Sequence, residues 1–298
     1  MPILTENVNP NTENIDLESV INILTLMNNE DKKVASSVEK VLPQVADAVN
    51  AIVKAFQNNG RLAYFGSGTS GRIGILDASE CPPTFSVDKN LVQAFIAGGN
   101  DAVVHAVEHA EDNLIFAQKD IQTFNPQKND VVVALSASGN PNYCLEVLRL
   151  AKNSGATTVA ISSNPDAKIK NIADIFINPL VGPEVIAGSS RLKSGTAQKL
   201  IVNMLTTASM IRIGKTYKNL MVDVCVSNDK LYKRACHIIA DITGVSLPNA
   251  ESYLKKAHNR VKTACVMILK DCSCEKADFL LNKHKGILRK VLQDNADE

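Results

Sequence analysis

The spacing of apolar residues changes character twice along the chain. Val34, Val38, Val41, Val45, Ala48, Ile52 and Phe56 recur at helical spacing, and Gly60 follows as a stop signal. Short β-rich runs then occupy residues 62–65, 92–97, 131–135, 157–161 and 175–177, each separated from the next by an amphipathic stretch. That alternation predicts an α/β fold, a doubly wound five-stranded parallel sheet between helices. After about Asn228 the β signal disappears, and Gly244, Pro248 and Gly286 punctuate three or four short helices, which predicts a small C-terminal all-α domain. The reading is two domains, 1–224 and 225–298. Residues 1–16 are rich in Asn, Thr and Glu without periodicity and read as a flexible arm.

Composition narrows the partners. The 298 residues carry 32 Lys and Arg against 31 Asp and Glu, a formal charge of +1, so no global field recruits nucleic acid or an anionic membrane. A small ligand fits better. The first residues lack a basic stretch followed by an apolar run, and no segment has the length to span a bilayer, so a soluble cytoplasmic protein is expected. Seven cysteines, an odd number without paired CxxC motifs, read as reduced thiols, with Cys272 and Cys274 too close for a zinc knuckle. Lys255, Lys256, Lys262 and Lys270 read as a solvated helical face.

Two loops carry candidate chemistry. Gly66-Ser67-Gly68-Thr69-Ser70-Gly71-Arg72 follows the first strand and leads into a helix through Ile73, Leu76 and Asp77. Small residues there let backbone N–H groups approach an anion at the helix amino terminus. No GK[ST] follows, which excludes a Walker A loop. The glycine spacing partly matches a dinucleotide fingerprint, but the density of hydroxyls favours a sugar phosphate. Ser136-Ala137-Ser138-Gly139 follows the third strand in the same way, before a helix beginning near Tyr143. Simple capping would need one serine per helix.

Longer runs point further. LDASECPPTF at 76–85 and VGPEVIAGSSRLKSGTAQK at 181–199 resemble the N-acetylmuramic acid 6-phosphate etherases, as do TENVNPNTENID at 5–16, AVEHAEDN at 106–113 and NLMVDV at 219–224. The resemblance covers essentially the whole chain. It implies a sugar isomerase (SIS) fold, a homodimer, a sugar-phosphate substrate and no metal or other cofactor.

It also implies a reaction: the sugar opens to its aldehyde, carbon 2 loses a proton, D-lactate leaves carbon 3, and water adds back. One carboxylate must act as base at carbon 2, and one carboxylic acid must protonate the leaving oxygen. By motif position the acid falls on Glu80 and the base on Glu111. From the sequence alone, Glu80 lies in a loop stiffened by Pro82-Pro83, and Glu111 lies one helical turn after Glu108 on a polar helix. The resemblance further implies phosphate contacts from Ser70, Ser136 and Ser138, assisted by Thr69 and the backbone of Gly68. Ser190, Arg191 and Lys193 become candidates to contact substrate, within the subunit or across a dimer interface, with a structural salt bridge as the alternative for the two cations.

His105-Ala106-Val107-Glu108-His109 spells HxxEH, which on a helix would place two imidazoles on one face and match a metalloprotease signature. No third ligand follows, and no metal site is expected. The chain departs from the family at His109, where related etherases are expected to carry Gly, at Val8, where they carry Arg, and at Asn140-Pro141, where they carry Arg-Thr. Pro141 offers neither a hydroxyl nor an N–H. The rival functions for such a fold are a non-catalytic sugar-phosphate-binding regulator and a sugar-phosphate isomerase.

Overall fold

The structure is a computed structural model that describes residues 4–226 and 228–294. Five strands, β1 (Leu62–Gly66), β2 (Val92–Ile96), β3 (Val131–Leu135), β4 (Thr157–Ile161) and β5 (Ile175–Ile177), form one parallel sheet in the order β2-β1-β3-β4-β5. The predicted sheet is therefore present, with each strand within a residue of its expected bounds. β1 and β3 are buried at every position, as strands covered on both faces must be. The chain passes from β1 to β2 on one side and returns to β3 on the other. This is the topological switch point where open α/β sheets bind ligands. Gly66 pairs in register with Leu135, so the loops that leave β1 and β3 are neighbours.

The helical lead-in is two helices, α1 (Val20–Glu39) and α2 (Leu42–Gln57). Pro43 explains the break. It has no N–H for a preceding helix and fits the first turn of a new one. α3 (Gly68–Phe85) follows β1, with α4 (Asp101–Val104), α5 (Leu114–Phe124), α6 (Asn142–Asn153) and α7 (Lys193–Arg212) further on. α8 (Asp229–Thr243), α9 (Leu247–Lys256), α10 (Val261–Leu269), α11 (Cys274–Lys283) and α12 (Leu288–Gln293) complete the described chain.

The described part of the arm is fastened to the fold, contrary to its polar, aperiodic sequence. Thr12 Oγ1 donates to the Val185 carbonyl at 2.8 Å, Asn9 Nδ2 to Pro183 at 3.2 Å, and Gly188 N to Thr5 at 3.0 Å. Its partners lie more than 170 residues away, beyond any local pattern.

By packing the chain divides into residues 1–79 with 90–207, and residues 80–89 with 208–298. Besides residues 80–89, the second unit takes in the chain from Ala208 onward, so it includes residues 208–224. Val222 and Val224 belong to the apolar core of that unit, together with Ile239, Leu254, Cys265 and Leu288. Lys262 is a correction: it is buried, and its Nζ donates to Asp223 Oδ2 at 2.6 Å and to the Gly286 carbonyl at 2.8 Å. Burial lowers its pKa, and the Asp223 carboxylate opposes that shift.

Candidate functional site

The first loop turns directly from β1 into α3. Gly66 and Gly71 must be glycine for this to happen, because a Cβ on Gly71 would lie 2.7 Å from the Gly66 carbonyl oxygen and 2.6 Å from Ile96 Cγ1. The N–H groups of Gly68, Thr69 and Ser70 open the helix and have no acceptor one turn earlier within it, so they present partial positive charge at its amino terminus. Gly68 is exposed, Thr69 half-buried and Ser70 buried.

The second loop is closed by its own hydroxyls. Ser136 Oγ accepts from Gly139 N at 3.0 Å and Ser138 Oγ from Asn140 N at 3.4 Å, with Gly139 at φ +69°. The segment leaving β4 fastens it. Ser163 N and Ser162 Oγ both donate to the Ala137 carbonyl, and Asn164 Nδ2 donates to the Ser138 carbonyl at 2.9 Å. Asn140 accepts from Lys168 N at 3.2 Å, and Pro141 occupies the N-cap of α6 without a capping side chain.

Residues 190–195 approach the first loop. A Cβ on Gly195 would lie 3.4 Å from Thr69 Cγ2 and 3.6 Å from the Ser190 carbonyl oxygen. Ser190 is half-buried and Arg191 exposed. Lys193 takes the other course anticipated for a cation there. It is 1% exposed, and its Nζ donates to Glu30 Oε2 at 2.6 Å. Burial pushes the Glu30 carboxyl up, but hydrogen bonds from Lys193, Lys33, Asn11 and Asn9 outweigh that and hold its pKa at about 2. Glu184 caps the start of α7 by accepting from Lys193 N and Ser194 N.

Glu111 lines a pocket of about 240 Å³ with Ser67, Arg72, His105, Glu108 and His109. The polar helix expected here is absent. α4 ends at Val104, His105 is extended, and His109 adopts φ +57°, so Glu111 sits in the single 3-10 turn Ala110–Asp112. The two histidines of HxxEH therefore do not share a helix face, and no group of three or more His, Cys, Asp or Glu side chains is placed to hold a metal among the described residues. Ser67 Oγ donates to Glu111 Oε2 at 3.4 Å, and Arg72 holds the segment before it by donating to the carbonyls of Val103 (2.8 Å) and His105 (3.0 Å). In the sequence Ser67 and Arg72 were visible only as members of the glycine-rich run, with no sign that they reach the segment around Glu111.

Glu80 is exposed and lies inside α3, which continues through Pro82 and Pro83; the loop expected around it is helix. Three residues earlier, Asp77 is buried, accepting from Tyr64 Oη at 3.0 Å and Thr206 Oγ1 at 3.2 Å. Burial raises its pKa to about 6 despite these bonds and the nearby Lys199.

Three domain models match the chain: the N-terminal SIS domain of glucokinase regulatory protein at residues 44–152, the SIS domain at 107–208, and the C-terminal lid domain of glucokinase regulatory protein at 218–263. The chain is 52% identical over 290 residues to the N-acetylmuramic acid 6-phosphate etherase of Actinobacillus pleuropneumoniae serotype 5b, covering 97% of this chain and 95% of that protein. To the Aliivibrio fischeri (strain MJ11) protein of the same name it is 48% identical, covering 98% and 97%. A solved structure from Bacteroides fragilis, provisionally described as a phosphosugar isomerase involved in capsule formation, shares the fold at TM-score 0.51. That match has 21% identity and covers 65% of this chain and 91% of that one.

Proposed function

The chain belongs to the N-acetylmuramic acid 6-phosphate etherase family, and we propose that Glu111 and Glu80 carry its chemistry. The family's reaction cleaves the D-lactyl ether of N-acetylmuramic acid 6-phosphate, giving N-acetylglucosamine 6-phosphate and D-lactate in the recycling of cell-wall amino sugars. The identity to relatives of that name over nearly the full length carries this assignment.

In the opened sugar, Glu111 takes the proton from carbon 2, which the neighbouring aldehyde makes acidic. The released electron pair forms a carbon 2–carbon 3 double bond as the carbon 3–oxygen bond breaks, and Glu80 gives its proton to the departing lactyl oxygen. Water then adds at carbon 3 and a proton returns to carbon 2. The amino terminus of α3 and the Ser136–Gly139 loop hold the phosphate through backbone N–H groups and the hydroxyls of Thr69, Ser70, Ser136 and Ser138. Ser190 and Arg191 approach the sugar, while Lys193 supports them from inside. The carbon–oxygen bond that breaks and the one that forms are each accompanied by proton transfers at carbon and oxygen, which two carboxyl groups and water can perform.

Two coarser features accompany this reading. No helix among the described residues is long and apolar enough to cross a membrane, and the cysteines are free thiols, which supports work in the cytoplasm. Leu17, just before α1, and Val20, Ile21 and Leu24 in its first turns are exposed apolar residues, the kind of surface a homodimer covers, with sedimentation equilibrium as the measurement that decides it. The function itself is tested by incubating the purified protein with N-acetylmuramic acid 6-phosphate: D-lactate is expected, and its absence would favour a sugar-phosphate regulator or isomerase.

A further inference from the structure

The phosphate is one of two anionic groups on this substrate; the other is the carboxylate of the lactyl group. The serine loops are the proposed partners of the first, and the second calls for a cationic or N–H-bearing group near the catalytic carboxylates.

We infer that Arg72 and His109 form a carboxylate subsite beside Glu111 that recognises the lactyl group, an inference that rests on the etherase reading. Arg72 is pinned by two backbone carbonyls, Val103 through Nε at 2.8 Å and His105 through Nη2 at 3.0 Å. Its Nη1 makes no hydrogen bond to any described residue, yet the side chain lines the 240 Å³ pocket that holds Glu111. A guanidinium fixed on one edge and free on the other is pre-organised for an oxyanion. His105 and His109 line the same pocket. His109 is exposed, and its backbone sits at φ +57° and ψ 6°, a left-handed conformation that glycine adopts at no steric cost. From that conformation the exposed imidazole lines the pocket beside Arg72 and Glu111. Glu108 and Glu111 face the same space, so an incoming carboxylate needs these cationic and N–H-bearing groups to offset two negative charges.

The direct test compares wild type with His109→Gly, a replacement the backbone accepts, and with His109→Gln, which keeps an N–H donor. Two quantities are read: KM for N-acetylmuramic acid 6-phosphate, and the inhibition constant of N-acetylglucosamine 6-phosphate, which has the phosphate but no lactyl carboxylate. The subsite requires His109→Gly to raise KM about tenfold, His109→Gln to raise it less, and inhibition by the lactyl-free sugar to stay unchanged. Equal weakening of both ligands would assign the histidine to the phosphate or to the fold and overturn the inference, as would an unchanged KM. Failure of the etherase reading looks different, because wild type itself would then release no lactate.

Discussion

Ser67 Oγ donates a hydrogen bond to Glu111 Oε2 across 3.4 Å, joining the first residue after β1 to a carboxylate 44 positions later. The bond occupies one oxygen of Glu111 and leaves the other for a substrate proton. Ser67→Ala should therefore lower kcat about fivefold with KM little changed, the loss of roughly 1 kcal/mol of orientation. Ser67→Thr, which keeps the hydroxyl, should restore most of it. Steady-state kinetics of lactate release check both, and a rise in KM alone would contradict the role.

The Glu30–Lys193 pair is buried and spans α1 and the first turn of α7. Glu30 keeps Lys33 and Asn11 if Lys193 is lost, but Lys193 has no other ion-pair partner among the described residues, so Glu30→Gln should destabilise by about 3–5 kcal/mol, and Glu30→Gln with Lys193→Met should recover part of that. Urea denaturation of the two variants reads the difference. The Glu30 carboxyl falls from 4.5 to about 2 in the fold, so its contribution is complete above pH 4.5 and is lost as pH falls toward 2.

Asp77 works in the opposite sense. Its pKa rises from 3.8 to about 6 on folding, so between those values the folded chain binds a proton that the unfolded chain has released. Stability from this group therefore falls as pH rises from about 4 to 6 and is level beyond. Thermal melts of Asp77→Asn should lack that slope while wild type shows it; identical slopes would remove Asp77 as the cause.

Much of this arrangement was legible in the sequence, and the failures have physical causes. The strands were clear because 131–135 is an uninterrupted apolar run and 157–161 is rich in β-branched residues, and the loops because glycine and serine cluster at their ends. Glu111 was placed on a helix because nothing in AVEHAEDN signals that His109 turns left-handed. The burial of Lys193 and Lys262 depends on Glu30, 163 residues away, and Asp223, 39 residues away, neither of which a local pattern reveals. Pro82-Pro83 suggested a loop, yet α3 tolerates both in its last turns.

The altered second loop makes a separate prediction. Pro141 holds the N-cap of α6 with φ −54° and ψ 134° but offers no side-chain acceptor. Pro141→Thr should stabilise the helix start by roughly 0.5–1 kcal/mol and, with its hydroxyl facing the loop, lower the KM for the phosphorylated substrate. Calorimetry and kinetics on one variant test the two effects independently.

The division of labour between the two glutamates is the central claim, and running the reaction in deuterium oxide tests it most directly. Wild type should release D-lactate and incorporate deuterium at carbon 2. Glu111→Ala should do neither, whereas Glu80→Ala should still exchange at carbon 2 and release little lactate. Full lactate release by Glu111→Ala would contradict the account.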